Sequence, residues 1–124
     1  MTEAEVFPAV GEEGFTRLVS AFYKQVPGDP ILGQMYPADD LAGAEERLRD
    51  YLIYRFGGPD KYIQQRGHPR LRGRHIPFAI DSTASDHWVS LMDKAFAETG
   101  LHPEAEAVLR GFFAQMAAFM RNRA

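Results

Sequence analysis

The sequence predicts an all-α protein, on three observations. Apolar residues recur at the three- and four-residue spacing of one helix face in four separate stretches, no stretch alternates apolar and polar residues as a half-buried strand would, and Pro and Gly cluster between the periodic stretches. A length of 124 residues, 45% of them hydrophobic, supports one core. The expected domain is therefore residues 1–124, with 1–11 as an N-terminal extension.

The first helix is predicted from Phe15, Leu18, Val19, Phe22, Tyr23 and Val26, and Pro27-Gly28-Asp29-Pro30 ends it. A connection, ILGQMYPADD, leads to a second helix starting near Asp39 or Asp40, acidic residues suited to cap free N–H groups. Its apolar face reads Leu41, Ala44, Leu48, Tyr51 and Leu52, and Gly57-Gly58-Pro59 stops it. From Asp60 to Ile80 the pattern predicts a loop with one short helix, Leu71 to His75. Periodicity returns after Asp81-Ser82 as Trp88, Leu91, Met92, Ala95 and Phe96, closed by Gly100. The last helix begins near Pro103, with Glu104 and Glu106 at its positive end, and runs through Val108, Leu109, Phe112, Phe113, Met116, Phe119 and Met120. Arg121 and Arg123 suit its negative end.

Composition narrows the function. A formal charge of −3 argues against general attraction to nucleic acid or anionic membrane. With no cysteine, disulfides, thiolate metal sites and thiol chemistry are excluded, so a cofactor is held by His, carboxylate, Tyr or shape. No run of eighteen apolar residues is present, and MTEAEVFPAV has acids and a Pro where a secretory signal has basic residues, so a cytoplasmic location is expected.

Among the four histidines, His68, His75, His87 and His102, no two stand three or four apart, which removes a helical two-histidine zinc site. The paired Glu-x-x-His motifs of di-iron bundles and a strand-to-helix phosphate loop are also missing. His75 stands out because Leu71 precedes it and Ile76, Pro77 and Phe78 follow, an apolar setting. Arg66, Arg70, Arg72 and Arg74 gather beside it. That combination suits a flat hydrophobic cofactor with an acidic edge, since guanidinium groups pair with carboxylates in two-pronged geometry. The plainer reading is a hydrogen-bonded histidine next to a solvated basic face. Tyr23 and Trp88 on buried faces, with Tyr36 in the connection, supply O–H and N–H donors that either converge on a polar guest or bond to backbone carbonyls.

Together these residues resemble the truncated haemoglobins, most closely group II, the class with Trp at the position of Trp88. The resemblance rests on Phe22-Tyr23, on YPADDLAGAEERLR from Tyr36 to Arg49, on Gly57-Gly58-Pro59 and on QRGHPRLRGRHIPF from Gln65 to Phe78. It implies a globin-like two-over-two helical sandwich around haem b, with His75 as the proximal iron ligand. Tyr23, Tyr36 and Trp88 would line the distal side. Ala44 and Leu48 would face the iron, the small Ala44 leaving no distal histidine. Arg47, Tyr62 and Arg72 or Arg74 would meet the propionates, and Phe78 would contact the ring. Three departures stand out: Gly73 where a long side chain is usual, Phe56 in place of a common Trp, and the GEEG run from Gly11 to Gly14.

The resemblance further implies reversible binding of O₂, CO or NO, strengthened by the distal donors. Redox chemistry such as NO dioxygenation or peroxide turnover would need a separate reductase, because the chain has no flavin or nicotinamide domain. The exposed helical faces leave room for a homodimer. A haem-free helical interaction module, docking an acidic partner through Arg66 to Arg74, is the alternative.

Overall fold

The computed structural model describes residues 1–123 and is helical throughout, as the periodicity predicts. Its helices are α1 (Val6–Gln25), α2 (Leu41–Arg55), α3 (Lys61–Arg66), α4 (Leu71–His75), α5 (Ser82–Thr99) and α6 (Pro103–Phe119). Short 3-10 turns at Glu3–Glu5, Val26–Gly28 and Leu32–Gln34 complete the elements.

The predicted stripe of α1 is buried: Phe15, Leu18, Val19 and Phe22 have no exposure and Tyr23 has 7%. The helix also reaches back to Val6, which is fully buried, across an interruption at Gly11. There φ is 71° and ψ is 171°, a conformation that glycine adopts without a Cβ penalty. At the other end, Pro27 brings α1 into the 3-10 turn, and the Asp29 carboxylate accepts the N–H groups of Ile31 and Leu32 at 2.9 and 2.8 Å. That carboxylate therefore starts the connection toward Tyr36.

Asp40 occupies the position before α2 but does not cap it with its side chain. Its carboxylate instead accepts from Arg47 Nη1, two turns along the helix, at 3.2 Å. The expectation of one short helix between Asp60 and Ile80 is also corrected. α4 spans the predicted residues, but α3 precedes it, and six residues are too few to display a helical period. Tyr62 anchors α3 by packing edge-on against Tyr51 of α2, with ring centroids 5.5 Å apart.

Asp81 caps α5 by accepting the Ala84 N–H at 2.9 Å, and Gly100 closes the helix in the left-handed region. His102 Nδ1 accepts the Glu104 N–H at 3.2 Å to start α6, with Pro103 in the first turn. α1 packs against α2, α5 and α6, and α5 packs against α6. Phe15, Phe22, Phe96, Leu18, Leu52, Met92 and Leu109 fill the centre of this core. Each such side chain contributes roughly 1.5–3 kcal/mol on burial.

A series of ring contacts leads from this core to one end of the helix pairs. Phe15 meets Phe56, Phe56 meets Phe112, Phe112 meets Phe113, and Phe113 meets Trp88, with centroids 5.0–6.0 Å apart. No described helix is long and apolar enough to cross a membrane.

Candidate functional site

Where the aromatic series ends, helices α1 to α6 all contribute to the wall of a cavity of about 370 Å³. That volume lies in the range of small-molecule sites, roughly 300–1,000 Å³. Its wall is mainly apolar, with polar atoms in three groups.

The first group is His75 at the end of α4. Its Nδ1 lies 2.6 Å from the carbonyl oxygen of Leu71, one turn earlier. A carbonyl only accepts, so Nδ1 carries a proton, and in the neutral ring Nε2 then keeps its lone pair. The histidine is thereby fixed in one tautomer and one orientation, with its free nitrogen available to a metal. α4 itself buries no side chain fully and is held by hydrogen bonds instead. Arg74 donates from Nε to Pro69 O at 2.7 Å and from Nη2 to Arg66 O at 3.0 Å, tying the end of α3 to the turn that carries His75. Asn122 Nδ2 donates to His75 O at 3.2 Å and to Phe78 O at 2.9 Å, securing the same turn to the chain beyond α6. Arg70, just before α4, has φ of 43°, the one non-glycine positive φ among the described residues.

The second group is Tyr23, Tyr36 and Trp88, brought together from α1, the connection and α5. The Tyr23 and Tyr36 rings meet edge to face at 5.5 Å, and Phe22 packs 5.2 Å from the Trp88 ring, fixing the indole from behind. Burial pushes both phenols above the usual tyrosine range. At Tyr36, the neighbouring Trp88 and Tyr23 donors oppose that rise in part. All three line the cavity, and each has a single O–H or N–H to donate there. All three side chains stay neutral at ordinary pH and offer donors without bringing a charge.

The third group is Arg47, Arg66 and Arg74 on the cavity lining, with Arg66 exposed and the other two half-buried. Ala44, Leu48 and Tyr51 line the wall from α2, and Tyr62 and Phe78 line it from the chain on either side of α4. Ala44 is 8% exposed, and its small side chain leaves that part of the wall open.

The cavity thus gathers the sequence-predicted site residues, with one exception. Arg72 lies outside the lining, and its Nε donates to Phe119 O at 3.3 Å. Arg66 takes a place on the wall that the sequence reading did not assign to it as an individual residue. Its signal was present in the four-arginine run, but alternation along the chain does not reveal which arginines face the cavity once a helix turn intervenes. Gly73 leaves open space where a Cβ would stand, so the short helix forms without a side chain supporting it there.

Such a donor set fits a flat iron macrocycle. No three His, Cys, Asp or Glu side chains gather among the described residues, so an ion here would draw on His75 and on ligands that a cofactor brings. An apolar slot, one oriented imidazole and guanidinium groups on the lining match a hydrophobic ring with acidic side arms.

Comparison with known proteins points the same way. The family model described as bacterial-like globin matches residues 5–122. The group 2 truncated hemoglobin YjbI of Bacillus subtilis is 36% identical over 117 residues, covering 94% of this chain and 88% of that protein. The crystal structure of hemoglobin from Chloroflexus aurantiacus superposes with a TM-score of 0.91 at 40% identity, covering 95% of this chain and 98% of the other. A truncated oxygen-avid haemoglobin from Bacillus subtilis superposes with a TM-score of 0.90 at 36% identity, covering 94% and 98%.

Proposed function

This chain belongs to the bacterial-like globin family, among the group 2 truncated haemoglobins, and from that premise we propose that it holds haem b through His75 and reversibly binds O₂, CO or NO. The observation that carries the reading is the His75 imidazole, with Nδ1–H bonded to Leu71 O and Nε2 free, on a cavity that also receives the donors of Tyr23, Tyr36 and Trp88. Haem, when bound, supplies an iron that takes a diatomic ligand and shifts electron density onto it.

The remaining work falls to this chain's side chains. His75 orients the ring through its fixed tautomer. Arg47, Arg66 and Arg74 receive the acidic side arms, and Leu48, Tyr62 and Phe78 pack against the ring. The Trp88 N–H and Tyr36 O–H stabilise negative charge on a polarised ligand, with Tyr23 orienting Tyr36. This arrangement favours slow ligand release, which suits retention or chemistry on the ligand more than bulk delivery.

The test is a visible spectrum of the purified protein with added haem. An intense Soret band that His75→Ala abolishes or shifts supports the proposal. No band, or one indifferent to His75→Ala, overturns it.

A further inference from the structure

We propose that the surface formed by α4 and the chain end beyond α6 is the docking face for a compact acidic protein that delivers single electrons. This inference rests on the haem reading above. Charge is sharply segregated along the chain: residues 61–80 hold Lys61, Arg66, Arg70, Arg72 and Arg74 with no acid, so the rest carries −8 toward the net −3. Residues 119–123 add Arg121 and Arg123, again without an acid. The fold brings the two stretches together. Arg72 donates to Phe119 O at 3.3 Å with its guanidinium 5.9 Å from the Phe119 ring centre, and Asn122 bonds to the carbonyls of His75 and Phe78.

Part of this charge stays unpaired. Arg121 has Asp86 at 3.8 Å, Lys61 has Glu46 and Asp50 at 3.7 Å, and Arg66 and Arg74 are assigned to the cofactor's acidic arms, but Arg70, Arg72 and Arg123 have no carboxylate within 4.0 Å among the described residues. Within the basic field sit three exposed apolar side chains, Ile76 at 61%, Phe119 at 58% and Phe78 at 40%, the last also on the cavity lining. Exposed apolar side chains among charges mainly of one sign are the makings of a charge-steered, transient interface. Ile76 directly follows His75, so a partner seated here lies against the turn that would hold the iron.

Charge complementarity selects the occupant. A nucleic acid or a membrane extends past the patch and meets the acidic remainder, whereas a compact acidic protein does not. A symmetric pair of this chain would set one positive face against the other. Electron delivery gives such a partner a purpose: the reduced carrier gives up one electron, ferric iron becomes ferrous, and no proton need move.

The experiment uses the haem-loaded chain and an oxidised plant-type ferredoxin, an acidic one-electron carrier, with affinity read by calorimetry at low and physiological salt. The wild type should bind with an affinity that falls as salt rises. Joint Arg121→Glu and Arg123→Glu should weaken binding at low salt by about tenfold or more. Phe119→Ser should weaken it at both salt levels. Stopped-flow reduction by the reduced ferredoxin should slow in parallel, while the Soret band of each variant stays intact. An intact Soret band with affinity unchanged by these substitutions overturns the docking face and leaves the haem reading standing. Binding to phosphatidylserine vesicles without binding to ferredoxin, or concentration-dependent self-association that Phe119→Ser abolishes, also overturns it.

Discussion

The Nδ1–H of His87 reaches the Asp29 carboxylate at 2.9 Å to one oxygen and 3.1 Å to the other, joining the connection that leads to Tyr36 to the helix that presents Trp88. Asp29 also accepts the Ile31 and Leu32 N–H groups. Two donors of the site are thus registered to each other by a contact outside the cavity. Asp29→Ala would leave those backbone donors short of partners, and a loss of about 1–3 kcal/mol is expected in urea denaturation. The ligand dissociation rate should rise with it, because Tyr36 and Trp88 lose their common tie.

The same pair makes a pH prediction. Burial pushes the Asp29 carboxyl up, but the Leu32 and Ile31 N–H groups and His87 outweigh it and hold the folded value below the usual 3.8. A depressed carboxyl contributes stability that is fully present above the unfolded value and is lost as pH falls through the lower, folded one. The stability difference between wild type and Asp29→Asn should therefore be constant near neutrality and shrink under acid. A difference that persists undiminished at low pH would show that the Asp29 carboxylate charge is not its source.

Trp88→Phe keeps a ring against Phe22 and Phe113 but removes the N–H. A hydrogen bond to a charged partner contributes roughly 1.5–3 kcal/mol, so O₂ dissociation should accelerate by about tenfold or more in stopped flow. Tyr36→Phe should act in the same direction, and an unchanged rate in either variant would remove that residue from ligand stabilisation.

The sequence makes the long helices legible because each has a buried stripe with punctuation at both ends. α5 shows this well, with Asp81 before it, Gly100 after it, and Leu91, Met92, Ala95 and Phe96 between. α3 escapes because its single fully packed residue, Tyr62, is recognisable only against Tyr51, which lies eleven residues away. The convergence of Tyr23, Tyr36 and Trp88 is a tertiary fact that the family resemblance anticipates and the periodicity alone leaves open. Phe119 shows the opposite limit: it follows the apolar run of α6 yet is exposed, since the run outlasts the core that the helix covers. The division of labour among the arginines is likewise set by distance, with Arg74 bonding across the loop and Arg72 bonding to the end of α6.

Arg74 is expected to matter before any ligand is present. Its side chain bonds to the carbonyls of Pro69 and Arg66, and α4 has no buried side chain to replace that support. Arg74→Ala should lower stability by about 1–2 kcal/mol and weaken haem retention, read as faster transfer of haem to apomyoglobin. Arg74→Lys supplies a charge but not the two-pronged geometry, so it should restore little of either. Full recovery in the lysine variant would assign the residue a purely electrostatic role.

Alkaline titration tests the aromatic site directly. The chain has five tyrosines, and burial raises the phenols of Tyr23, Tyr36 and Tyr51 above the ordinary value of 10.0. A tyrosine whose folded value is raised binds its proton more tightly in the folded state than in the unfolded state. The stability it contributes is therefore fully present below about pH 10, the unfolded value, and is lost as pH rises through the folded one. Phenolate absorbance of Tyr23, Tyr36 and Tyr51 should accordingly develop in a later stage, above the ordinary value, that coincides with loss of helical circular dichroism. Tyr23→Phe and Tyr36→Phe should each remove amplitude from the later stage only. If all five phenols ionised together while the helices remained intact, Tyr23 and Tyr36 would be open to water, and the dry, uncharged donor site on which slow ligand release depends would not exist.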